Sequence, residues 1–175
     1  KEGVFDSIYI AVERKFNASN SEIRVLATPW IPSSSVNTYY LTNSGFRYEN
    51  PCLTIKQDGN ADSILITCTK NGLPVYHFTP NGGSVWNIDY SIASSNGSNK
   101  AFTYCSSSRT GDKPFSVCWV SDYGDSINVR RGVLGYLGQI VCKVNSNFSY
   151  STTIPVCATI PSAGSNSTVV VYAAA

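Results

Sequence analysis

The chain has 175 residues, a net charge of +2 and only 14% charged residues. That length is most simply one domain, residues 1–175, with enough chain to bury a core, and no apolar run approaches the roughly 18 residues of a membrane-crossing helix. The 13 Lys and Arg form no dense stripe, which argues against a nucleic acid partner, although acidic residues stop at Asp125 and the C-terminal third is mildly basic. With no methionine and no basic-then-apolar opening, the chain reads as a mature or excised piece of a longer precursor.

The text runs as short strands and turns. GVFDSIYIAVERKF (3–16) is apolar at Ile8, Ile10 and Val12, with period two, and EIRVLAT (22–28) alternates Ile23, Val25 and Ala27. Pro29 and Pro32 around Trp30 mark a loop or edge. NTYYLT (37–42) puts Tyr39 and Tyr40 on opposite faces of a strand. CLTIK (52–56) and SILITCTK (63–70) flank the polar turn QDGNAD, and Asn71-Gly72 is a strong two-residue hairpin signal before LPVYHFT (73–79). Pro80-Asn81-Gly82-Gly83 turns the chain into SVWNIDYSIA (84–93), which alternates Trp86, Ile88, Tyr90 and Ile92. KAFTYC (100–105) and PFSVCWV (114–120) follow, then GYLGQIVCKV (135–144), TIPVCATI (153–160) and STVVVYA (167–173). The segment 162–168 reads as a short linker before the last strand. About ten to twelve strands at this spacing, with little or no helix, predict an all-β antiparallel sandwich or barrel-like domain.

Six cysteines without C-x-x-C spacing argue for disulfides rather than zinc, and hence for an oxidising compartment. Sequence does not choose the pairing, but strands of a hairpin pair about the turn centre. Cys52 and Cys68 are equidistant from residue 60; Cys105 with Cys118 and Cys142 with Cys157 straddle polar turns in the same way. Sequential pairing, 52–68, 105–118 and 142–157, is therefore the expectation, giving a disulfide-stapled domain.

Chemistry is sparse. Asp58-Gly59-Asn60-Ala61-Asp62 begins like a calcium loop, but Ser63 stands where the turn glycine belongs and Thr69 where the bidentate acid belongs. The segment reads as a hairpin turn, and no metal or cofactor is expected. His77, the lone histidine, reads as a cross-strand neighbour of Trp86. A carboxylate-only hydrolase would draw on Asp89, Asp122 and Asp125, yet no spacing selects a pair. Gly132, Gly135 and Gly138 suggest bulges or close backbone approach, and Arg130-Arg131 a solvated turn. N-x-S/T sequons occur at Asn17, Asn96, Asn147 and Asn166, with Asn96 and Asn147 in predicted turns, where a glycan is best tolerated. Trp86, Tyr90 and Trp119 alternate as core residues do. Trp30, Tyr123 and Tyr150 stand in loop-like contexts and are the candidate ligand-binding residues.

Compartment, fold class, loop aromatics and the lack of a nucleophile site predict a non-enzymatic extracellular attachment module. It would sit on a cell or virion surface and hold a glycan or protein receptor through its loops, without inserting into the membrane. The alternative is a structural subunit of an extracellular filament, pilus or coat, with the terminal strands 1–12 and 168–175 donated to neighbouring copies. A secreted hydrolase ranks third.

Overall fold

The computed structural model describes residues 7–29, 36–42, 45–58, 61–93, 103–107, 114–120, 126–145, 155–162 and 165–172. These residues form thirteen strands and no helix, so the chain is all-β, built from antiparallel sheets. Sheet A orders β1 (Ser7–Asn17), β2 (Asn20–Pro29) and β3 (Asn37–Tyr40). Sheet B orders β4 (Tyr48–Asp58), β5 (Ala61–Lys70), β6 (Leu73–Thr79) and β7 (Asn87–Ser91). Sheet C orders β11 (Tyr136–Asn145), β10 (Ser126–Val133), β9 (Phe115–Val120) and β8 (Thr103–Ser107). Sheet D is the ribbon β12 (Pro155–Ser162) and β13 (Ser165–Tyr172).

The four sheets stack as layers in the order A, B, C, D, with one core between each pair. Ile23 and Val25 of sheet A meet Tyr48, Ile64, Ile66, Cys68 and Val75 of sheet B. The other face of sheet B, with Leu65, Tyr76 and Phe78, meets Cys105, Phe115, Val117 and Trp119 of sheet C. The far face of sheet C, with Cys118, Val120, Ile127 and Val129, meets Cys157 and Val170 of sheet D. Period-two alternation explains the split: Ile64 and Ile66 point one way and Leu65 the other. The inner strands are therefore apolar on both faces. Every residue of β9 is buried, as is every residue of β6 after Leu73. Burying a side chain such as Leu65 contributes about 1.5–3 kcal/mol.

The turns carry their expected chemistry. Asn71 and Gly72 have φ of 51° and 82°, as a type I′ hairpin requires. In the calcium-like segment Asp58 pairs with Ala61 in the β4–β5 ladder, while Gly59 and Asn60 lie outside the described residues. Gly132 sits where an added Cβ would lie 2.1 Å from the Tyr136 carbonyl oxygen, the close approach its sequence suggests.

Several expectations are corrected. Arg130 and Arg131 lie inside β10, paired with Val117 and Ser116, and not in a turn. The expected linker 162–168 lies largely in strands: Ser162 ends β12, residues 165–168 belong to β13, and Ser162 pairs with Ser165. The alternation of 84–93 does not keep one face, because Asp89 has φ of 62°. Trp86 and Ile88 pack against the A–B core and Ile92 against the B–C core, while Tyr90, expected in the core, is 40% exposed. Of the terminal segments, the described residues 7–12 pair with β2 and 168–172 with β12, the in-chain placement that competes with strand donation.

The cysteines are also placed differently from expectation. No pair of cysteine sulfurs among the described residues is at bonding distance. Cys52 pairs with Thr67 and Cys105 with Val117, each one residue away from the expected partner. A one-residue step turns a side chain to the other face, so Cys52 lies opposite in direction to Cys68, and Cys105 to Cys118. Cys142 is on β11, opposite Val129, whereas Cys157 belongs to sheet D.

Candidate functional site

Among the described residues, the set of side chains that resembles catalytic chemistry lies in sheet B, between sheets A and B. The Asn71-Gly72 turn fixes Lys70 opposite Leu73, which puts Cys68 opposite Val75 and His77 opposite Ile66. Cys68 and His77 are thus diagonal neighbours on one face, with Sγ and Nε2 3.2 Å apart. Both outer strands of the sheet are bulged beside them. On β4, Asn50 and Pro51 stand against Cys68, with Asn50 at φ 55°. On β7, Ile88 and Asp89 stand against His77. His77 is therefore opposite this bulge rather than Trp86, which stacks instead near Tyr39 with ring centroids 6.1 Å apart.

The bulge brings Asp89 into a polar network. Its backbone N–H donates to His77 Nδ1 at 3.1 Å. Its carboxylate accepts from Lys70 Nζ at 2.7 Å and from the Tyr48 hydroxyl at 3.0 Å. The Lys70 ammonium also lies 4.1 Å from the Phe46 ring centroid. Burial alone raises the Asp89 pKa, but the hydrogen bonds from Lys70 and Tyr48 outweigh it and hold the carboxylate below its ordinary range. Burial lowers the Lys70 pKa, and its bond to Asp89 reverses that, for a net rise. Burial depresses His77 to about 4 and pushes the Cys68 thiol far up.

Cysteine, histidine and aspartate are all present, yet the arrangement is not a catalytic triad. Because Nδ1 accepts the Asp89 N–H, the imidazole proton is on Nε2, which faces the sulfur. A general base must offer the nucleophile a lone pair, and here it offers a proton. Cys68 and His77 are both fully buried, and the carboxylate serves Lys70 and Tyr48. What the set does is tie β4, β5, β6 and β7 together with every polar group paired.

Neither a family model, nor a curated protein, nor a solved structure matches this chain. Function must be read from its surfaces.

The open surfaces are on the outer layers. On sheet A, Ile10 pairs with Leu26 and Val12 with Arg24, and the rows continue to Thr38 and Tyr40 on β3. These residues point away from the core, with Ile10 48% and Tyr40 61% exposed. The Arg24 guanidinium lies 5.0 Å from the Tyr40 ring centroid and that of Arg14 4.9 Å from Phe16. At the other end of the stack, Val156 pairs with Val171 and Ala158 with Val169, all exposed.

The ligand candidates Trp30, Tyr123 and Tyr150 lie outside the described residues, as do Asp122, Asp125, Asn96 and Asn147. Asn17 is exposed at the β1–β2 tip, where its Oδ1 accepts from the Ser19 N–H at 2.9 Å. Asn166 is on β13, opposite Pro161. Of the pair Tyr39 and Tyr40, one ring packs inward and one stands in solvent, as alternation predicts. The Cys68–His77 contact was legible from the Asn71-Gly72 turn. The Asp89 contribution was not, because only a bulge brings it there.

Proposed function

We propose that this chain is a non-enzymatic extracellular module of a cell or virion surface, and that it attaches to a glycan or protein receptor. The observation that carries the reading is the contrast between a sealed Cys68–His77 pair and an open face on sheet A that presents Tyr40 and Phe16 beside Arg24 and Arg14, both arginines ion-paired with Glu22. Tyr and Arg on an exposed sheet give contact area, stacking and hydrogen bonds at low entropic cost, which suits sugar rings and protein surfaces alike. The loop aromatics Trp30, Tyr123 and Tyr150 would extend that surface. Disulfide stapling of the layered sandwich belongs to the same reading, as does glycosylation at Asn17. Asp89, the described member of the hydrolase set, is held by Lys70 and Tyr48 and does not favour that alternative.

The test is binding of the purified chain to a glycan array and to intact cells, repeated with Arg24→Ala and Tyr40→Ala. The reading expects saturable binding that drops about tenfold, roughly 1.4 kcal/mol, on losing one such contact. Binding indifferent to both substitutions, or none to any surface, would remove it.

A second reading, a structural subunit of a filament or coat, has its own support. β1 and β13 are long strands at the edges of the two outer sheets, and each outer sheet exposes apolar side chains outward, Ile8 and Ile10 on sheet A and Val156, Val169 and Val171 on sheet D. A head-to-tail contact between unlike faces continues without closing. Size-exclusion chromatography with light scattering separates the two: an open-ended series of polymers supports the subunit, and a monomer supports the attachment module.

A further inference from the structure

Two cysteine pairs stand between the layers, in combinations that hairpin symmetry does not suggest. Cys52 on β4 and Cys105 on β8 bring their sulfurs to 3.8 Å across the B–C interface. The Cys105 thiol points at the Cys52 carbonyl oxygen, 3.1 Å away. Two residues further on, the Thr54 hydroxyl donates to Ser107 Oγ at 2.9 Å, and Ser107 donates to the Ile55 carbonyl at 2.5 Å. These bonds fix β4 against β8 beside the sulfurs. At the next interface, Cys118 on β9 and Cys157 on β12 are buried in the same C–D core cluster, with Cys157 Sγ 3.8 Å from the Ser116 carbonyl oxygen of β9. Beside them the Thr159 hydroxyl bridges Ser106 and Ser116 at 2.8 Å each.

We propose that Cys52–Cys105 and Cys118–Cys157 are disulfide sites, the first bolting sheet B to sheet C and the second bolting sheet C to sheet D. Rotation of the side chains closes the 3.8 Å between the Cys52 and Cys105 sulfurs to a bond of about 2.05 Å, and shared burial on facing strands offers Cys118 and Cys157 the same closure. Opposite-face placement of Cys105 and Cys118 gives each interface its own bridge. Cys68, hydrogen-bonded to His77 in the A–B core, stays a thiol.

The oxidant is a disulfide, either of a small thiol or of a thiol oxidoreductase. One cysteine thiolate of a pair attacks it, forms a mixed disulfide and expels one thiolate. The second cysteine, deprotonated, attacks the first cysteine's sulfur and expels the other thiolate. Each bridge thus passes two electrons to the oxidant's S–S bond, and the two protons leave on the two released thiols. Cys52 is the first attacker at its interface. It is half-buried, and its hydrogen bond with Cys105 lowers its pKa to about 7. Cys105 is buried and its pKa is raised, so it resolves the mixed disulfide.

For its oxidant in the organism this pairing rests on the extracellular reading; for its geometry it does not. The experiment therefore uses the purified, folded, reduced chain with glutathione disulfide at about pH 8, where thiolates form. Iodoacetamide quenches the reaction, and trypsin digestion follows unfolding. Trypsin puts the six cysteines in six peptides, 48–56, 57–70, 101–109, 110–130, 132–143 and 144–175. The expected links, by mass spectrometry without reductant, are 48–56 to 101–109 and 110–130 to 144–175, with 57–70 alkylated. Linkage of 48–56 to 57–70 or 144–175, linkage of 101–109 to 110–130, or free thiols in a chain whose circular dichroism shows it folded would overturn the proposal. If protein isolated from its source carries these thiols unoxidised, yet forms both links in glutathione disulfide, the pairing stands and the extracellular reading fails.

Discussion

The two faces of sheet B put the same residue type to opposite uses. Facing sheet A, Cys68 is fully buried beside an imidazole whose Nε2–H donates a hydrogen bond to its sulfur, and burial keeps the thiol neutral. Facing sheet C, Cys52 is half-buried against a second sulfur, and its thiol ionises readily. The two cysteines are on adjacent strands and differ by one register step, Cys52 being opposite Thr67. Neighbours decide what a cysteine does, and register decides the neighbours.

That contrast can be broken from either side. The largest effect is expected on the sheet C side. Replacing Cys52 and Cys105 together by Ser in the oxidised protein removes a loop of 53 residues, worth about 4 kcal/mol by the loop-entropy model. Urea unfolding with and without reductant measures it, and the gap between variant and parent should close when reductant is added.

Next comes pH on the sheet A side. The unfolded His77 binds its proton near pH 6.5 and the folded one only near 4. The unfolded state therefore holds more protons in that window, and stability falls as pH drops through it, by about 3 kcal/mol in all. As His77 is the only histidine, His77→Gln should flatten the upper part of this slope, which unfolding free energies at several pH values would reveal.

A smaller loss belongs to Asp89→Asn. Asparagine tolerates the positive φ, so the change isolates the charge, and the bonds from Lys70 and Tyr48 weaken by about 2 kcal/mol. Asp89 has a depressed pKa in the fold, so its contribution is present above the unfolded value and lost as pH falls through the folded one. The cost of Asp89→Asn, read by thermal melting, should vanish in strong acid. The smallest effect is Tyr40→Ala on the open face, within about 0.5 kcal/mol in stability, whatever it does to receptor binding.

Strand positions were largely legible, because alternation and turn residues are local signals. Asn71-Gly72 fixed one hairpin outright. β10 was hidden by Arg130-Arg131, which look like a solvated turn; in the fold Arg130 is half-buried, its guanidinium 5.9 Å from the Trp119 ring centroid. Register was less legible. The strand expected from Cys52 begins earlier, at Tyr48, and its ladder bulges at Asn50-Pro51, and Asp89 likewise splits the alternation of β7 between two cores. A bulge depends on what packs against each face, which no local pattern encodes. The expected pairs 52–68 and 105–118 failed on a one-residue step and 142–157 on strands of different sheets, and the stacking of four sheets lay beyond any hairpin rule.

The most direct test of the two-faced sheet B is the alkylation rate of each cysteine in the folded, reduced protein, followed peptide by peptide. The account predicts that Cys52 reacts first and under native conditions, while Cys68 reacts only as fast as the whole chain unfolds, accelerating with urea in step with the unfolding transition. Alkylation of Cys68 at the rate of Cys52 in the native protein would contradict it.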